Sequence, residues 1–113
     1  MDCLFCKIIA GEIPSKKVYE NDMVYAFYDI DPQAPKHVVI VPKMHIESAN
    51  EINEENAKYI SAVWQAVPEI AKALGVEGDG YRVVNNCGKN AGQTVWHIHF
   101  HLMGGREFGW PAG

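Results

Sequence analysis

No apolar run in this chain is long enough to cross a bilayer. The longest, such as Val38-Val39-Ile40-Val41, stop after a few residues, where a spanning helix needs about 20. The first residues show no basic, apolar and small-residue succession, which predicts no secretory export and a reducing, cytoplasmic setting. Dense Lys/Arg clusters are missing as well. Ten basic residues against fourteen acidic ones leave a formal net charge of −4, and that balance excludes a nucleic-acid-binding face. A small phosphate ligand stays open, because one site needs only a few local donors. There is no internal repeat, low-complexity tract or linker, and 113 residues predict one domain over 1–113. Cysteine is scarce too. Three cysteines cannot build a full disulfide framework, and Cys3-x-x-Cys6 in a reducing compartment points to metal binding or redox chemistry. Cys87 reads as an unpaired small residue in a turn.

The segments that are present predict an α+β chain. Cys6 to Ala10, stopped by Gly11, reads as a short N-terminal helical turn. Val24–Tyr28 reads as a strand, ending before the two-proline loop Asp31-Pro32-Gln33-Ala34-Pro35. His37–Val41 is β-branched and nearly all apolar, a buried central strand closed by Pro42. One long helix is expected over about 53–74, with Ile60, Val63, Trp64, Val67, Ala71 and Leu74 on one face. Pro68 should kink or split it. Tyr81–Asn85 and Thr94–Met103 read as strands, and residues 104–113 as a glycine-rich tail carrying Phe108 and Trp110. About five strands with one dominant helix predict a mainly antiparallel sheet.

The last strand reads Trp96-His97-Ile98-His99-Phe100-His101-Leu102-Met103. Side chains alternate along a strand, so His97, His99 and His101 are expected on one face. The chain has five histidines, and three fall in this run. Two chemistries use such an array. One imidazole can attack phosphorus while its neighbours hold the phosphate and protonate the leaving group. Alternatively, two or three imidazoles can bind a catalytic metal. Spacing alone does not choose.

The His-apolar-His-apolar-His-apolar-apolar motif at 97–103 resembles the signature of the histidine triad (HIT) nucleotide-binding family. Further segments resemble it in order: Phe5-Cys6-Lys7-Ile8-Ile9, Ile13-Pro14-Ser15, Phe27-Tyr28-Asp29-Ile30, Gln33-Ala34-Pro35-Lys36-His37, Pro42-Lys43-Met44-His45, Gly92-Gln93-Thr94-Val95 and Gly104-Gly105-Arg106. The ending Gly109-Trp110-Pro111 is similar to the Hint-like branch. The resemblance implies a HIT-like fold and cleavage of the P–N bond of purine nucleoside 5′-phosphoramidates through a nucleotidyl-histidine. His99 would be the nucleophile, His101 would bind phosphate and assist the leaving group, His97 would orient the others, and His37 would contact the phosphate site. Thr94, Asn86 and Gln93 would lie near the phosphate. Asp29 would accept hydrogen bonds from both ribose hydroxyls, and Phe5, Ile8, Phe27 and Ile30 would form the purine slot. No catalytic cofactor is implied. A structural zinc is implied at Cys3, Cys6, His45 and His97, and so is a homodimer in which the Trp110 tail nears the neighbouring site. Dinucleoside polyphosphate hydrolysis and a nucleotide-binding regulatory module are the alternative functions.

Overall fold

The computed structural model describes residues 3–113. Two α-helices and five strands follow among these residues in the order α1 (Leu4–Ile9), β1 (Lys17–Glu20), β2 (Val24–Tyr28), β3 (Lys36–Pro42), α2 (Ala57–Leu74), β4 (Tyr81–Val84) and β5 (Phe100–Gly104), with short 3-10 turns at Ala49–Glu51 and Lys89–Ala91. The strands form one sheet in the order β1-β2-β3-β5-β4, and every neighbouring pair is antiparallel. The chain crosses from β3 through α2 to the edge strand β4, then returns to place β5 between β3 and β4. That return sets β5, with His101, directly beside β3, with His37. Val39 pairs with His101 and His37 with Met103, so both imidazoles rise from the same face.

The two faces of the sheet have separate cores. Val24 and Ala26 of β2, Val38 and Ile40 of β3, and Phe100 and Leu102 of β5 pack against Val63, Val67 and Ile70 of α2. Tyr25, Phe27, Val39 and Val41 face the other way and pack against Cys3, Phe5 and Ile8 at the N-terminus. Burial on both faces explains why β3 reads as an unbroken apolar run and not as an alternating one. Each fully buried aliphatic side chain of this kind contributes about 1.5–3 kcal/mol.

Helix α2 begins four residues later than its sequence suggests. Asn53 Oδ1 accepts from the amides of Glu55 and Asn56, and Asn56 Oδ1 accepts from the Asn53 amide. These local bonds hold 53–56 in a turn that competes with helix. Pro68 does not split α2, which runs unbroken to Leu74. It sits on the exposed side of the helix, where water can reach the carbonyl its missing N–H would have bonded. Trp64 also leaves its expected place: it is half exposed, and Ala66 and Ile70 complete the buried stripe. Gly75 (φ +74°) ends the helix, with the Val76 amide donating back to Ala71 O at 3.0 Å, a left-handed glycine closure. The final strand is shorter than expected, starting at Phe100 and not at Thr94.

Gly104 is required by close approach. A Cβ there would stand 2.7 Å from Val76 Cγ1 and 2.9 Å from Val76 Cβ. Gly104→Ala is expected to cost about 1–3 kcal/mol in urea unfolding through overpacking. Val76→Ala in the same chain should recover part of that loss, because it removes the nearer contact.

Candidate active site

His97, His99 and His37 are each oriented by a backbone group, and those bonds determine where the lone pairs of the array point. His97 Nε2 lies 2.8 Å from Pro42 O. A carbonyl only accepts, so the proton is on Nε2 and the lone pair is on Nδ1. His99 Nδ1 lies 2.8 Å from His97 O, which places its proton on Nδ1 and frees the Nε2 lone pair. At His37 the Gln33 amide donates to Nδ1 at 2.9 Å, so Nε2 carries the proton and donates to His101 Nδ1 at 2.9 Å. His101 accepts at Nδ1 and therefore holds its proton on Nε2. The array thus offers one free ring nitrogen, on His99, beside one free N–H, on His101, with the two rings 5.2 Å apart.

His99 and His101 line a cavity of about 920 Å³. Of the residues expected to touch a nucleotide, Phe5, Ile8, Phe27, Ile30, Asp29, Asn86 and Thr94 also line it. The Phe5 ring meets His99 edge-on at 4.9 Å and Phe27 at 5.7 Å, so helix α1 supplies one apolar wall. Ile30 is fully exposed at the rim, where an apolar ligand surface would cover it. Asp29 closes β2: its Oδ1 accepts from the Asp31 amide, while Oδ2 lies 3.4 Å from His37 Nε2. His37 lines a second cavity, of about 460 Å³, on the other side of His101.

Gln93 is placed differently from the expectation. Gln93 lines neither cavity. Its side chain donates to Glu47 O and Val95 O and accepts from the Gly88 amide, so both its N–H groups and its oxygen hold the loop before β5. His97 is sealed from solvent and turns its ring toward the cysteines, so only its carbonyl acts on the site. Asn85 is the residue that sequence reasoning missed: its Nδ2 donates to His99 O at 2.9 Å.

Burial dominates the proton affinities. It lowers His37 and His99 from the usual imidazole value, against opposing pulls from Asp29 and, for His99, from the His97 carbonyl. His101 is pushed to about 4, by burial first and then by His99 and His37. At neutral pH the free site holds uncharged rings, which suits a nitrogen nucleophile.

Among the described residues two groups of donors come together, and one of them suits a metal. Asp29, His37 and His101 lie close to one another, but the Gln33 amide occupies His37 Nδ1, so Nε2 keeps its proton and has no lone pair to give. Cys3, Cys6, His45 and His97 differ. Cys3 Sγ and Cys6 Sγ stand 3.4 and 3.5 Å from His97 Nδ1, Cys6 Sγ stands 3.5 Å from His45 Nδ1, and the two Nδ1 atoms are 3.2 Å apart. A tetrahedral zinc with ordinary bond lengths separates S and N by about 3.5–3.6 Å and two nitrogens by about 3.3–3.4 Å. Pro42 O fixes the His97 lone pair toward the cluster, as outer-shell partners of metal ligands do. Without a cation, burial and then Cys3 raise the Cys6 thiol to about 11, and a metal would displace that proton.

Residues 10–108 match the HIT domain family model, and the chain belongs to the HIT family. It is 43% identical over 108 residues to the purine nucleoside phosphoramidase of Escherichia coli K12, covering 96% of this chain and 91% of that protein. A HIT family hydrolase from Legionella pneumophila superposes with a TM-score of 0.96 at 45% identity, covering 99% of this chain and all of that one. A histidine triad protein from Clostridium difficile gives 0.92 at 46% identity, over 96% and 95% of the two chains.

Proposed function

We propose that this protein is a hydrolase that cleaves the P–N bond of purine nucleoside 5′-phosphoramidates. The observation that carries the reading is His99, whose Nδ1 donates to His97 O and whose Nε2 lone pair is therefore free in the ring that lines the larger cavity. Nε2 attacks the α-phosphorus, the P–N bond breaks, and its electron pair stays on the amine nitrogen. A bound phosphate anion favours protonated His101, whose Nε2–H then passes a proton to the departing amine. Water next attacks phosphorus, the P–Nε2 bond breaks, and the water proton returns to His101 as the nucleoside monophosphate leaves. Thr94 and Asn86 meet the phosphoryl oxygens, Asp29 takes the ribose hydroxyls, and Phe5, Ile8, Phe27 and Ile30 enclose the purine. The 43% identity to a purine nucleoside phosphoramidase supports this substrate class.

In the same reading, zinc occupies the Cys3, Cys6, His45 and His97 cluster and joins the N-terminus to the sheet. The protein works as a cytoplasmic homodimer, consistent with Trp64 half exposed on α2 and Trp110 exposed in the tail. Among the described residues, no helix is long and apolar enough to cross a membrane.

AMP release from adenosine 5′-phosphoramidate tests the activity, with a diadenosine polyphosphate as competitor substrate. The expected result is turnover of the phosphoramidate with a clear preference in kcat/KM. Preference for the polyphosphate would move the assignment to that hydrolase class. AMP binding without turnover of either would leave a nucleotide-binding module.

A further inference from the structure

The four-donor cluster touches the active site by two routes. The first runs through His97, which reaches the cluster with Nδ1 and Pro42 O with Nε2, and whose carbonyl accepts from His99 Nδ1. Because the ring is tied to the cluster at one end and to β3 at the other, a shift of the His97 main chain on losing the cluster would move the carbonyl that fixes the nucleophile. The second runs through α1. Cys3 caps this helix, accepting from the Cys6 amide at 3.3 Å. Phe5 and Ile8 of the same helix wall the nucleotide cavity, with Phe5 packed on His99. At six residues α1 is too short to hold itself in water. The cluster is also reachable: Cys3 and His45 line a surface cavity of about 380 Å³, a path by which an ion can enter or leave.

We propose that this cluster is an exchangeable control site for a thiophilic divalent cation, whose occupancy sets both the orientation of His99 and the closure of the purine wall. The inference rests on the metal reading above and extends it from chain anchoring to control of the chemistry. Losing the ion leaves residue 97 held by the Pro42 bond alone and lets α1 fray. A displacement of about 1 Å at a reacting group can cost a hundredfold in rate, so removal is expected to lower kcat by about ten- to a hundredfold and to weaken AMP binding. Cys3, Cys6 and His45 are positioning residues here, since none of them touches the phosphorus.

The test compares the protein with zinc, after dialysis against chelator and reductant, and after reloading with cadmium, at a temperature where circular dichroism shows all three forms folded. Cadmium should produce a thiolate-to-metal absorption band in the wild type, a weaker one in Cys6→Ala and none when Cys3→Ala is added to it. The side-chain NMR signal of the His99 Nδ1 proton should be sharp in the metal-loaded forms and broadened or shifted after dialysis. AMP affinity and kcat should fall together on dialysis and return with cadmium. His45→Cys, which keeps four donors, should retain both the band and most of the kcat. An unchanged His99 proton signal, with unchanged kcat and AMP affinity in the metal-free protein, would overturn the control role and leave a structural anchor. No cadmium band in the wild type would overturn the metal site itself. If phosphoramidate is not turned over at all, the His99 signal and the AMP affinity still decide the coupling.

Discussion

His99→Ala is expected to lower kcat for adenosine 5′-phosphoramidate by at least about 10⁴-fold, while AMP affinity changes only a few-fold. The separation follows from the division of labour in the cavity. The apolar wall is made by Phe5, Ile8 and Phe27, and the carboxylate by Asp29, so the ring of His99 is not needed to hold the base or the sugar. Its Nε2 is the free lone pair that the backbone bonds leave on the triad. Removing it takes away the bond-forming atom itself. AMP release measured with calorimetric AMP binding checks the prediction, and free imidazole added to the variant should restore part of the rate by filling the vacated space. Turnover within a hundredfold of wild type would place the nucleophile elsewhere.

Much of the fold was legible because its determinants are local. The apolar run of β3, the glycine after α2 and the alternating β5 segment declare themselves by period and by breaker residues. The misplacements share a cause, which is competition from contacts the sequence does not display. Asn53 and Asn56 bond to each other's backbone and delay α2, and Trp64 yields its core position to Ala66 and Ile70. The triad motif announced three imidazoles on one face, yet period alone could not say which nitrogen of each is free. That depends on the Pro42 carbonyl, the His97 carbonyl and the Gln33 amide, contacts set by strand register and loop path. Period likewise could not say that His97 orients His99 through its backbone carbonyl while its ring faces the cysteines. The family resemblance implied Gln93 near the phosphate; tertiary folding gives it three backbone partners instead.

Acid should destabilise this protein through His101 in particular. Burial, then His99 and His37, push its folded pKa from the ordinary 6.5 to about 4, with Asp29 pulling the other way. As pH falls, the unfolded chain takes the proton first. The stability tied to the neutral ring is therefore whole above about pH 6.5, declines between 6.5 and about 4, and is fully lost below that. For a single group the loss between pH 7.5 and 4.5 amounts to about 2–3 kcal/mol. His37, also lowered mainly by burial, adds in the same direction. His101→Gln cannot titrate, so urea unfolding at the two pH values should show the wild type losing about 2–3 kcal/mol more than the variant. Protonation of the cysteine cluster would weaken both proteins alike and cancels in the comparison. Parallel acid limbs would mean that folded His101 takes a proton as easily as a free imidazole. Saturating AMP should flatten the wild-type limb, because a phosphate beside His101 favours the charged ring. The downward shift that burial imposes makes the His101 Nε2–H a stronger acid, which suits its transfer to the departing amine.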